Sequence, residues 1–170
     1  MNVVQESREN GKKTTARARN RKRRGLYYGN PQKVYVKALP HTADVETKVY
    51  ALTYKELFEN NLRAMNNILK EGCGDAADHF DCLMRLDISS ADPTNLLVDF
   101  LSEVLSLSYV QKALFCNIYF SELSNNRIEA QLYGKWIDGF DEEIKGVTYH
   151  EAYVKKNDDN IWESHIIFDI

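Results

Sequence analysis

Three short polar clusters sit inside or beside apolar, strand-like runs: Leu39-Pro40-His41-Thr42-Ala43-Asp44-Val45, Glu143-Ile144-Lys145-Gly146-Val147-Thr148-Tyr149-His150, and Phe168-Asp169-Ile170 at the end of the sequence. The last places Asp169 beside the expected free carboxylate of Ile170. Two adjacent carboxylates at an ordered terminus, with Asp44 brought near them, would repel one another unless a cation lay between. Oxygen-only ligands select a hard cation, Ca²⁺ or Mg²⁺, over zinc or copper. From spacing alone other readings stand beside this one. Asp44 could be a turn residue bonding its own backbone, and Asp169 a solvated end. His41 could be a surface group and His150 a satisfied, half-buried strand residue. Lys145 could be an exposed ion-pair partner.

Other chemistries find little footing. There is no GxSxG elbow, no Walker phosphate loop and no Gly-rich cradle after a strand. Cys73, Cys82 and Cys116 are scattered singly, without a CxxC pair or Cys/His cluster, so structural zinc is not expected. Sparse, odd-numbered cysteines fit a reducing compartment. No apolar run approaches the ~20 residues of a membrane span, and the N-terminus lacks the apolar stretch of a signal peptide. A soluble protein of the cytoplasm, the nucleus or both is expected.

The formal charge of -3 over 170 residues hides two different objects. Residues 1–24 hold nine of the 22 Lys and Arg and only two acids, leaving 13 basic and 23 acidic residues for the remainder. With almost no large apolar residues, residues 1–29 cannot offset their chain entropy and are expected to be a disordered basic tail. The run Arg19 to Arg24 would suit an RNA-binding arm, a nuclear import signal, or merely a solubilising tail. Residues 30–170, with apolar residues at 44% of the whole sequence, are expected to form one domain.

The elements that must position the clusters follow from periodicity. Residues 33–39 alternate as a strand, residues 40–44 interrupt it, and residues 45–51 resume it. Thr53 and Glu56 form a capping box for a helix with Leu57, Phe58, Leu62, Met65, Ile68 and Leu69 on one face. Gly72 and Gly74 end that helix, and an acidic loop follows over 75–78. Residues 80–88 alternate again. Asp92 and Pro93 open a second helix, apolar over most of its surface and so expected to be the more buried of the two. Four strands close the sequence as two hairpins, turning at Ser124-Asn125-Asn126 and at residues 157–160, with an acidic surface loop, residues 138–142, between the pairs. The order ββαβαββββ predicts an α+β fold, two helices packed on a largely antiparallel sheet.

Taken together the motifs resemble the archease family, over nearly all of residues 34–170. That family carries an early His-Thr-Ala-Asp, a Leu-Leu-rich second helix, a strand reading Ile-Lys-Ala-Val-Thr-Tyr-His, and a terminal Asp-Ile. Here these stand as His41 to Asp44, Leu96 to Leu101, Ile144 to His150 with Gly146 for Ala, and Asp169-Ile170. Other departures are Pro40 where an acid is common, Glu46 where Gly is usual, and a shorter loop before Glu143 that lacks its usual His. The resemblance implies a non-catalytic protein cofactor of an RtcB-type tRNA-splicing RNA ligase. Such a cofactor promotes guanylylation of the ligase, restores multiple turnover and broadens nucleotide use. The resemblance further implies a divalent cation held by Asp44, Asp169 and the carboxylate of Ile170. His41, Thr42, Lys145, Thr148 and His150 would then meet the partner. Two other classes remain open on residues alone. One is an RNA-binding module using the basic tail, though no RRM aromatic signature or KH loop is present. The other is a metal-dependent hydrolase, for which no general base stands out.

Overall fold

A computed structural model describes residues 34–38, 44–72 and 79–170, with Lys37 and Ala38 described by backbone only. The expected tail, Pro40, His41, Thr42, Cys73, Gly74 and the acidic loop lie outside the described residues. The elements are β1 (Val34–Ala38), β2 (Asp44–Ala51), α1 (Tyr54–Leu69), β3 (Cys82–Ser89), α2 (Pro93–Gln111), β4 (Ala113–Leu123), β5 (Arg127–Trp136), β6 (Gly146–Lys156) and β7 (Trp162–Asp169). Order and class agree with the reading from periodicity. The strands divide into two sheets, however: a four-stranded β1-β2-β7-β6 and a three-stranded β3-β5-β4. Every pairing among the described residues is antiparallel.

Local signals account for where the two helices begin. The Thr53 hydroxyl accepts from the Glu56 N–H, and the Glu56 carboxylate accepts from the Thr53 N–H, both at 3.1 Å. At α2, the Asp92 carboxylate accepts from the N–H groups of Thr94 and Asn95 at 2.8 and 2.9 Å, with Pro93 at the first helical position. Each cap satisfies donors that the helix itself cannot.

Each helix touches strands of both sheets, so the helix pair joins them. The core is continuous across this junction, from Phe58 and Met65 on α1 through Leu97, Phe100 and Leu101 on α2 to Phe115, Leu132, Ile166 and Phe168 on the sheets. The expectation that α2 is the more deeply buried helix is corrected. Ten residues of α1 are buried against eight of the longer α2. The difference comes from Asn60, Asn61 and Asn66, polar side chains that periodicity assigns to solvent. Asn61 Nδ2 donates to the Leu57 carbonyl (2.7 Å) and to Ser164 Oγ on β7 (2.8 Å). Asn66 Nδ2 donates to the Phe115 carbonyl on β4 (2.9 Å). One helix thus uses two amides to fasten both sheets, and burial is tolerable because those donors are paired.

Gly134 sits at a close approach in the three-stranded sheet. It pairs with Cys82 on one side and Phe115 on the other. A Cβ there would meet Phe115 Cδ1 at 2.8 Å and Cys82 Sγ at 3.0 Å. Gly134→Ala should therefore cost about 1–3 kcal/mol through overpacking, read as a lower urea midpoint with an unchanged slope.

Candidate cation site at the end of the four-stranded sheet

The cluster residues meet because β7 is a central strand. Asp169 on β7 lies directly opposite Asp44 on β2 and opposite Gly146 on β6, so the three form one row across the sheet. Side chains directly opposite on antiparallel strands share a face, with Cβ atoms about 4.5–5.5 Å apart. The two residues therefore share one face of the sheet, Asp44 half-buried and Asp169 exposed. Asp44 is the first residue of β2, not part of a break between strands as its sequence context suggested. The ladder with β7 extends one residue further and takes it in.

The row is anchored from beneath. Its neighbour along the strands is the pair Val45 and Phe168, at 1% and 0% exposure, in the main core. Ile170, half-buried, packs against the same core, which fixes the end of β7. Lys145 closes the other side. Its N–H donates to the Asp169 carbonyl at 2.7 Å, and its ammonium donates to the main-chain oxygen of Ile170 at 3.1 Å. Asp44, Asp169, Ile170 and Lys145 thus converge on one corner of the sheet.

The segment just before β6 that carries Lys145 is held by a residue that the motif reading overlooked. Ile144 is fully buried. The Tyr109 hydroxyl on α2 donates to its carbonyl (2.8 Å) and accepts from its N–H (2.7 Å). Burial raises the Tyr109 pKa, so the hydroxyl keeps the proton that this double role requires. Its ring packs edge-on against Phe140, with centroids 4.9 Å apart. The only hint in the sequence is a tyrosine amid an apolar helix face. Tyr109→Phe should lose about 2–3 kcal/mol, because two buried main-chain groups lose their partner. It should also loosen the site, a combination read by thermal melting together with cation titration.

The remaining candidates lie elsewhere. Thr148, opposite Ile167, is two residues along β6 and half-buried. Its hydroxyl accepts from the His150 N–H at 2.9 Å. That bond starts a wide bulge in which residues 149–152 of β6 stand against Ile166 alone on β7. Glu151 adopts φ 55° there, and its carbonyl faces His165 Nδ1 at 3.0 Å. The bulge turns His150 outward, with a side chain 77% exposed and Nε2 3.7 Å from Glu151 Oε1. His150 is accordingly not the half-buried strand residue that alternation allowed. Tyr149 reaches back to α2, where its hydroxyl and that of Ser90 both bond Asp99. The bond to Asp99, with burial second, raises the Tyr149 pKa. His41 and Thr42 stand three and two positions before Asp44 in the sequence but lie outside the described residues.

Among the described residues no three His, Cys, Asp or Glu side chains gather as a metal site. A cation bridging Asp44 and Asp169 would take its next protein ligand from the main chain, and Ile170 is adjacent. The donor set is oxygen only, which fits a hard cation. Thiolate chemistry is disfavoured at Cys82, where burial and then Asp81 push the pKa up.

An α+β framework of two helices and two antiparallel sheets, with an acidic corner at the end of one, defines the structural class. A family model described as the Archease protein family matches residues 37–170. Protein archease of Methanosarcina barkeri is 34% identical over 143 residues, spanning 78% of this chain and 93% of the relative. That of Thermoplasma acidophilum is 30% identical over 133 residues, spanning 76% and 89%. The chain belongs to the archease family. Two solved structures share the fold. One is the solution structure of Methanobacterium thermoautotrophicum protein 1598 (TM-score 0.59, 24% identity, 78% of this chain and 96% of that one). The other is a crystal structure from Thermotoga maritima described as an archease, possible chaperone (TM-score 0.52, 20% identity, 79% and 96%). Among the described residues no helix is long and apolar enough to cross a membrane.

Proposed function

We propose that this protein is a non-catalytic activator of an RtcB-type tRNA-splicing RNA ligase, acting through a divalent cation, Ca²⁺ or Mg²⁺, at the Asp44–Asp169–Ile170 corner. Membership of the archease family supports the class of function. The observation that carries the site is the direct cross-strand register of Asp44 with Asp169, beside Ile170 and Lys145. Like charges directly opposite on a sheet are unfavourable unless something offsets them, and a bound cation would do so. The acidic corner, carrying a positive ion, would dock on the ligase near the point where it is guanylylated. Lys145, Thr148 and His150, with His41 and Thr42 of the motif that ends in Asp44, would make the partner contacts. The basic N-terminal residues would be an accessory RNA contact at most.

The test is a ligation and guanylylation assay of the cognate ligase with and without this protein. Faster guanylylation and multiple turnover, dependent on both carboxylates, is the expected outcome. A ligase indifferent to the protein, or a protein that hydrolyses phosphoesters alone and loses this in Asp44→Ala, would refute the proposal.

A further inference from the structure

We propose that Lys145 and the divalent cation compete for the main-chain oxygen of Ile170, so that cation binding frees the Lys145 ammonium to bind an anion of the partner. This rests on the cation reading above and adds an order of events to it. The observation is the 3.1 Å bond from Lys145 Nζ to Ile170 O. It places a positive charge on the one main-chain group expected to complete the donor set of Asp44 and Asp169.

The geometry makes the exchange local. Lys145 holds its position through its main chain, since its N–H is bound to the Asp169 carbonyl (2.7 Å) and the preceding Ile144 is clamped by Tyr109. The side chain is exposed and long enough to swing without disturbing the strand. A divalent ion and an ammonium on one group repel each other at short range. The ion, held also by the carboxylates of Asp44 and Asp169, is the stronger competitor, and the ammonium is displaced into solvent. There it stands beside a site that has just gained positive charge. A phosphate or carboxylate of a partner then meets two cationic centres, whereas the cation-free corner offers paired carboxylates and an occupied lysine. Affinity for an anionic group would thus be conditional on the cation.

The experiment is calorimetric titration of the full-length protein with Ca²⁺ and, in parallel, Mg²⁺. The variants are Lys145→Met, Asp44→Asn and, as a control for overall charge, Lys55→Met at the distant start of α1. A second readout is the rate at which an amine-reactive acylating reagent labels Lys145, followed by peptide mass spectrometry with and without the cation. Loss of the competing charge should tighten cation binding about three- to tenfold in Lys145→Met, against little change in Lys55→Met. The cation should speed labelling of wild-type Lys145 and leave it unchanged in Asp44→Asn. Equal or weaker cation binding by Lys145→Met, or labelling that the cation slows or leaves alone in wild type, would overturn the exchange while leaving the cation site standing. Wild type that binds neither ion, or Asp44→Asn that binds as wild type does, would remove the site itself and the exchange with it.

Discussion

Asp44→Ala should bind Ca²⁺ or Mg²⁺ roughly 10- to 100-fold more weakly than wild type, because charge count dominates affinity at an oxygen-ligand site. The substitution deletes a half-buried carboxylate at the first position of β2 and leaves Val45 and Phe168 packed beneath it. Its stability signature is distinctive. Asp44 faces Asp169 across the ladder, and like charges so placed cost about 0.2–1 kcal/mol. In chelator the variant should therefore be as stable as wild type or slightly more so. In saturating cation the order should reverse, since an ion that binds only the folded state stabilises by RT ln(1 + [L]/Kd). Melting curves with and without the cation should cross in this sense. Ligase activation should fall in parallel with cation affinity. A variant that melts lower under both conditions would mark Asp44 as a structural residue instead.

The second large effect concerns the end of β7. Where Ile170 supplies a main-chain carboxylate, residues added after it convert that ligand into a neutral amide, which still offers an oxygen but without the charge that attracts a hard cation. An added segment must also leave the sheet at the corner that Asp44, Asp169 and Lys145 surround. An affinity tag following Ile170 should therefore weaken cation binding at least roughly tenfold and abolish activation. The same tag ahead of Met1 should do neither. Deletion of Ile170 is the more stringent variant, because it removes the main-chain oxygen that Lys145 holds. Ile170 packs on the core, so some loss in melting temperature is expected and must be measured beside the binding loss. A folded, C-terminally tagged protein that binds cation and activates the ligase like the untagged one would refute the role of Ile170.

What the sequence by itself determined is whatever local physics governs. The capping box at Thr53 and Glu56, the Asp92 cap with Pro93, the period of the α1 core face and the two closing hairpins each depend on residues a few positions apart, and each stands in the structure as read. The family motifs belong with these, since each is a short string in chain order. Tertiary structure alone decided which distant groups became neighbours. Nothing near Asp44 announces that it will sit opposite Asp169, because that register is set by how the buried Val45, Thr47 and Val49 of β2 pair with the buried Phe168, Ile166 and Ser164 of β7. The division into two sheets, the Asn61 and Asn66 bridges and the Tyr109 clamp on Ile144 have the same origin. A buried polar group goes wherever the folded chain supplies its partner, and that partner lies on another element. The bulge that turns His150 to solvent escaped alternation for a related reason. A strand keeps its period only while its ladder is regular, and here Thr148 and Glu151 find other partners and break it.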